Sequence, residues 1–106
     1  MDMLYYIYIG SNRVTIDHLS KIAGGMFMAV SSCNKAAKVI DGIRERYNTS
    51  ILYEESTPQK DSQNITFLHK RFPRVYIILI TEGLQKEHRK LYLQAGVNNT
   101  LSPMAS

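Results

Sequence analysis

The chain has no tryptophan, one cysteine and three prolines among its 106 residues. A single cysteine, Cys33, forbids an internal disulfide, so stability must come from packing, and a reducing cytosol is the natural setting. Three prolines and six glycines are too few for a collagenous or low-complexity chain. Acidic residues are the scarcer charge: nine against thirteen Lys and Arg, for a net charge of +4 and a pI near 9.3. That balance permits an acidic partner without requiring one. Long apolar runs are missing too. The run Leu4–Ile9 is too short for a membrane span or a signal-peptide core, and Asp2 stands where a signal peptide carries positive charge. The expectation is a cytoplasmic chain with no membrane insertion by this segment. The glycosylation-type triplets at Asn48, Asn64 and Asn98 therefore carry no weight.

What is present is globular. A hydrophobic content of 44% with 21% charged residues lies far from the disordered class, and the length suits a single domain, 1–106. Met3–Ile9 is continuously apolar and rich in aromatic and β-branched residues, as a strand buried on both faces is. Gly10-Ser11-Asn12 breaks it, with Ser11 or Asn12 able to cap a helix that carries Ile16, Leu19, Ile22 and Ala23 and closes at Gly24-Gly25. Met26–Val30 reads as a second strand. Ser32 or Asn34 caps the next helix, whose stripe is Ala36, Val39, Ile40, Ile43 and Tyr47, with Gly42 inside it.

Ile51–Tyr53 is a third strand, and Asp61 or Ser62 opens a helix bearing Ile65, Leu68 and Phe72 that Pro73 stops. Val75–Ile80 is the clearest buried strand. Leu84, His88, Leu91, Tyr92 and Ala95 form a last helical stripe ended by Gly96, and Asn99–Leu101 is a short edge strand before Pro103. Tyr53 and Tyr76 lie in strand runs and are expected to be largely buried. Strand and helix alternate with short links and no internal repeat. That rhythm calls for an α/β fold: a doubly wound, three-layer open parallel sheet with right-handed crossovers. In such sheets ligand sites lie at the carboxyl edge. The stretch Ser50–Pro58 delivers two carboxylates, Glu54 and Glu55, to that edge.

These residues resemble the receiver domain of bacterial response regulators, the phosphoacceptor module of two-component signalling. In that family the third strand ends in the phosphorylated aspartate and a proline follows four residues later; here Glu54 and Pro58 take those places. Ile80-Thr81 matches the strand end whose hydroxyl contacts the phosphoryl group. Ala95-Gly96-Val97 matches the glycine region, and Ser102-Pro103 keeps the family's proline without its lysine. The resemblance implies a flavodoxin-like sheet of order 2-1-3-4-5, with the fifth helix missing or truncated in this segment.

The departures bear on function. Receivers hold Mg²⁺ with acidic side chains just after the first strand, where this chain has Gly10-Ser11-Asn12; the nearest acids, Asp2 and Asp17, fall at the other end of the strand and within the helix. Glutamate at position 54 reaches roughly 1.5 Å further than aspartate, one C–C bond. Phosphoryl transfer depends on positioning, and a misplacement of that order costs about a hundredfold. The aromatic switch position on the fifth strand corresponds to Thr100. The resemblance therefore implies a pseudo-receiver that holds no metal or cofactor. Its vestigial pocket is Glu54, Thr81, Ser102, Gly10 and Ser11, and it serves as a regulatory protein-interaction domain for a protein partner or downstream domain.

Other readings are weaker. Glu54 and Glu55 as an acid/base pair loses to strand-end carboxylates that are solvated or capping, and Glu54 as a mimic of phosphoaspartate stays open. His18, His69 and His88 show no metal-ligand spacing, and Cys33 reads as a small core residue. The basic groups Lys70, Arg71, Arg74 and Lys86, Arg89, Lys90 lack the aromatic interleaving of a nucleic-acid site, so no nucleic acid is expected. One alternative makes the segment the N-terminal extension of a larger enzyme, such as a bacterial sugar transferase for exopolysaccharide. A small nucleotide or flavin binder using Gly10-Ser11-Asn12-Arg13 comes last. A homodimer through the fourth helix and fifth strand rests on analogy.

Overall fold

The computed structural model describes residues 3–44 and 46–104; Asp2 lies outside them. Five strands and four α-helices follow one another: β1 (Tyr5–Ile9), α1 (Arg13–Ile22), β2 (Met26–Val30), α2 (Cys33–Asp41), β3 (Thr49–Glu54), α3 (Pro58–Arg71), β4 (Tyr76–Ile80), α4 (Lys86–Ala95) and β5 (Asn99–Leu101), with a 3₁₀ turn at Arg46–Asn48. All strand pairs are parallel and the sheet order is β2-β1-β3-β4-β5, the order expected from the sequence.

The alternation of side chains along each strand divides the core in two. Ile7 and Ile9 of β1, Ile51 and Tyr53 of β3, and Ile77 and Leu79 of β4 face α2, α3 and α4, which contribute Ala36, Ala37, Ile40, Ile65, Leu68, Phe72, Tyr92 and Ala95. The opposite face is smaller: Tyr8, Leu52 and Ile80 pack with Leu19 of α1, flanked by Tyr6, Ile16, Phe27, Ile78 and Leu101. Among the described residues α1 is the one helix on that side.

This asymmetry corrects the expectation for the tyrosines. Tyr53 is buried, but Tyr76 is 44% exposed. Tyr76 is in register with Ser50, which is in register with Tyr6, so it lies on the face that α1 covers only in part. Position in a strand run fixes which face a side chain takes, not whether a helix lies over it. Met3 and Leu4 likewise precede β1 and are exposed.

Helix boundaries moved where polar groups intervene. Helix α2 ends at Asp41, and Gly42 is its C-cap, bonding back to Ile40 and Val39 carbonyls. Tyr47 therefore leaves the expected stripe, sits in the 3₁₀ turn and is exposed. Helix α3 opens at Pro58 rather than Asp61 or Ser62, since proline suits the first helical position, whose N–H has no partner to lose. Helix α4 begins at Lys86, leaving Leu84 before it as a plug against the main core. Phe72, at the end of α3, has the guanidinium groups of Arg46 and Arg71 over its ring at 5.3 and 5.5 Å, and Arg71 also pairs with Asp41 at 2.7 Å. One member of the Lys70-Arg71-Arg74 group is thus committed to the fold.

Leu79 is fully buried in the centre of the sheet, whereas Leu93 on α4 is 59% exposed. Leu79→Ala is expected to cost about 2–5 kcal/mol in urea unfolding through lost burial and the cavity left behind. Leu93→Ala is expected to stay within about 0.5 kcal/mol of the parent protein.

Candidate functional site

The carboxyl edge of the sheet is set by where β1, β3 and β4 end. Strand β3 runs one residue further than the sequence suggested and carries Glu54 as its last residue, in register with Ile80 of β4. Strand β1 ends at Ile9, and the chain turns at Gly10 towards α1. Gly10 has φ +155°, and a Cβ there would lie 2.6 Å from Cβ and Cδ of Glu54. Glycine is required at that turn because the Glu54 side chain lies directly over it.

Glu54 is not a free acid in solvent. Its Oε1 accepts the Tyr8 hydroxyl at 2.7 Å and the Asn12 amide at 3.0 Å, and its Oε2 accepts the Ser11 amide at 3.2 Å. Asn12 is the N-cap of α1, its Oδ1 accepting the Thr15 amide at 3.2 Å. The carboxylate therefore occupies the amide-rich entrance to a helix, where the N-terminal dipole and exposed N–H groups favour an anion. Of the expected capping roles, the structure assigns Asn12 to the helix and leaves the Ser11 amide to Glu54. Burial, followed by the bond and charge of Glu54, raises the Tyr8 hydroxyl well above its ordinary pKa, so it remains a donor.

Glu55 turns the other way and accepts the Thr81 hydroxyl at 2.7 Å, while Thr81 Oγ1 accepts the Gly83 amide at 3.2 Å. Glu54, Glu55, Thr81, Ser11, Tyr8 and Pro103 line one open cleft of about 660 Å³. Gly10 lies beneath Glu54 and borders a neighbouring cleft of about 410 Å³ on the α2 side. Ser102 shares a cleft with Thr81 but not with Glu54, Gly10 or Ser11. Its Oγ accepts the Met104 amide, and it lines a third cleft between α4 and β5. The five residues expected to share one pocket are thus spread over three adjoining ones. Among the described residues, no three His, Cys, Asp or Glu side chains converge in a way that could hold a metal ion.

A second carboxylate was misplaced by sequence reasoning. Asp61, expected as a helix cap, is 1% exposed. It accepts the Tyr53 hydroxyl at 3.1 Å, the Tyr92 hydroxyl at 2.8 Å and the Ser56 amide at 2.8 Å. One buried acceptor therefore ties β3, α4 and the β3–α3 loop together. Burial raises the hydroxyls of both Tyr53 and Tyr92, and Asp61 pushes each of them further. Asn64 Nδ2 donates to the Tyr53 oxygen at 2.9 Å, and Cys33 Sγ reaches the Asn64 carbonyl at 3.6 Å. Burial pushes the Cys33 thiol up to about 11, as suits a packing residue rather than a nucleophile. Neither Tyr8 nor Tyr92 carried any sequence signal beyond its place in an apolar run or stripe.

No protein-family profile matches the chain, and no curated protein matches it. Solved structures do. A CheY-like protein, TadZ, from Pseudomonas aeruginosa superposes with a TM-score of 0.81 at 12% identity, covering 100% of this chain and 85% of that one. The signal receiver domain of an HD domain-containing protein from Pseudomonas fluorescens gives 0.79 at 14% identity, covering 100% and 79%. A response regulator receiver domain protein from Methanospirillum hungatei gives 0.76 at 14% identity, covering 95% and 82%. The chain has the CheY-like, flavodoxin-like fold.

If the Tyr8–Glu54 bond and the two loop amides form one unit, their mutational effects are coupled. Glu54→Gln is expected to cost about 1–2 kcal/mol and Tyr8→Phe about 1 kcal/mol in urea unfolding. The double variant is expected to lose less than their sum, and strict additivity contradicts the linkage.

Proposed function

We propose that the chain is a signalling or regulatory domain that works by docking a protein partner or an attached domain, without taking up phosphate by the Mg²⁺-dependent aspartyl route. The observation that carries this reading is the seat of Glu54. Where the receiver fold would present an acceptor carboxylate to a metal and a phosphodonor, this chain folds the carboxylate back onto the Ser11 and Asn12 amides and the Tyr8 hydroxyl. A carboxylate that accepts three fixed donors is a weaker nucleophile, because those bonds draw charge from its oxygens. The side chains after β1 are Ser11 and Asn12, which supply no charge to balance Mg²⁺.

The pseudo-receiver reading also has support from the switch positions. Thr81 is held by Glu55 rather than poised over Glu54, and Thr100, in register with Leu79, has no aromatic ring to reorient. The neighbours include the receiver domain of an HD domain-containing protein and that of a signal transduction histidine kinase, so the fold occurs as a module attached to other domains. That favours a partner or downstream domain as the target. No helix among the described residues is long and apolar enough to cross a membrane, and a cytoplasmic setting fits the unpaired, buried-side Cys33.

The test is incubation with acetyl phosphate and Mg²⁺ followed by intact-mass measurement. The expected result is no phosphoryl adduct. A stable adduct that disappears in Glu54→Gln overturns the proposal.

A further inference from the structure

The two ends of the sheet differ in how they are guarded. Edge strands expose unpaired backbone groups, and proteins blunt them with short length, charge or proline. The β5 edge obeys this rule: three residues, two of them Asn99 and Thr100, with Pro103 close behind. The β2 edge does not. Its sequence is Met-Phe-Met-Ala-Val, and no charged residue occurs anywhere between Lys21 and Lys35. Met26 is 58% and Met28 49% exposed.

The hydrogen-bond register says which backbone groups have no partner among the described residues. Met26 N donates to the Leu4 carbonyl, and Gly10 N donates to the Val30 carbonyl. In a parallel ladder of this register, Met26, Met28 and Val30 turn their N–H and C=O groups towards β1. Phe27 and Ala29 therefore turn theirs outward. Two donors and two acceptors stand along an uncharged edge.

We infer that this edge pairs with a second copy of the same chain, β2 running antiparallel to β2 about a two-fold axis at Met28, to make a ten-stranded sheet. The sequence of the strand is self-complementary in that register and argues for a copy rather than a foreign strand. Phe27 of one protomer lies opposite Ala29 of its partner, and the reverse, so that all four outward groups of each strand are used and each ring faces a methyl group. On the other face Met28 meets its own counterpart, and Met26 meets Val30, all unbranched or small enough to interdigitate. A one-residue slip would set the outward groups of one strand against the inward groups of the other and leave them unpaired, which excludes such registers. This interface lies at the far end of the sheet from β5 and leaves the Glu54 cleft open, so it stands or falls independently of the proposed docking role.

Sedimentation velocity over a concentration series is expected to show a reversible dimer of the full chain. Met28→Lys puts like charges opposite each other at the axis and is expected to weaken dimerisation by at least about tenfold, while Leu93→Lys on α4 leaves it unchanged. Because Met28→Lys could also disturb the fold, the register is read separately by cross-linking. In a Cys33→Ser background, Met28→Cys is expected to form an intermolecular disulfide under mild oxidation, since directly opposed antiparallel residues sit at disulfide distance, and Tyr76→Cys is expected not to. A chain that stays monomeric, a dimer broken by Leu93→Lys and not by Met28→Lys, or equal cross-linking at both cysteine positions overturns the inference.

Discussion

One carboxylate sets the geometry of the sheet's carboxyl edge. Glu54 joins the end of β3 to the turn after β1 and the entrance of α1 through Tyr8, Ser11 and Asn12. Gly10 has to be glycine so that the Glu54 side chain can lie over it, and Tyr8 has to keep its proton so that it can donate. Glutamate suits this task because its extra methylene lets the oxygens reach past the strand end to the loop amides. On the proposed reading, structure and the absence of phosphoacceptor chemistry are two consequences of one side-chain length.

A second carboxylate performs the matching task on the other face. Asp61 is buried with no cation paired to it among the described residues, and such a group is tolerable only when its acceptor capacity is filled. Tyr53, Tyr92 and the Ser56 amide fill it, fixing α3 and α4 to β3. Together with the Thr81–Glu55 bond, these contacts hold the loops around the edge in one arrangement. For the docking role proposed, a fixed edge is an advantage, since fewer conformations compete with the bound one.

The fold was legible because a parallel sheet buried on both sides writes itself as apolar runs, and Ile7, Ile51, Ile77 and their neighbours form such runs. Strand order came from a few ordered matches, not from periodicity. What escaped was whatever depended on the third dimension. Tyr76 reads like Tyr53 in sequence, yet one faces three helices and the other a partly covered sheet. Asp61 occupies the first turn of a helix and so looks like a cap, because its tyrosine partners are 8 and 31 residues away. The role of Glu54 was half visible: a capping carboxylate was among the readings, but the donors were not, since Tyr8 sits inside an apolar run and the other two are backbone amides. Ser102 was placed by analogy with a neighbouring proline, and it lines with Thr81 a cleft beside the one that holds Glu54.

The central proposal is that Glu54 serves as the internal anion of this edge in place of a site for a divalent cation. Two-dimensional ¹⁵N–¹H spectra recorded while Mg²⁺ is raised into the millimolar range address it directly, because the Ser11 and Asn12 amides report on the seat of the carboxylate. The expected result is that neither resonance moves beyond the small drift of exposed surface amides. A saturable shift confined to Ser11, Asn12 and Glu55 would contradict it.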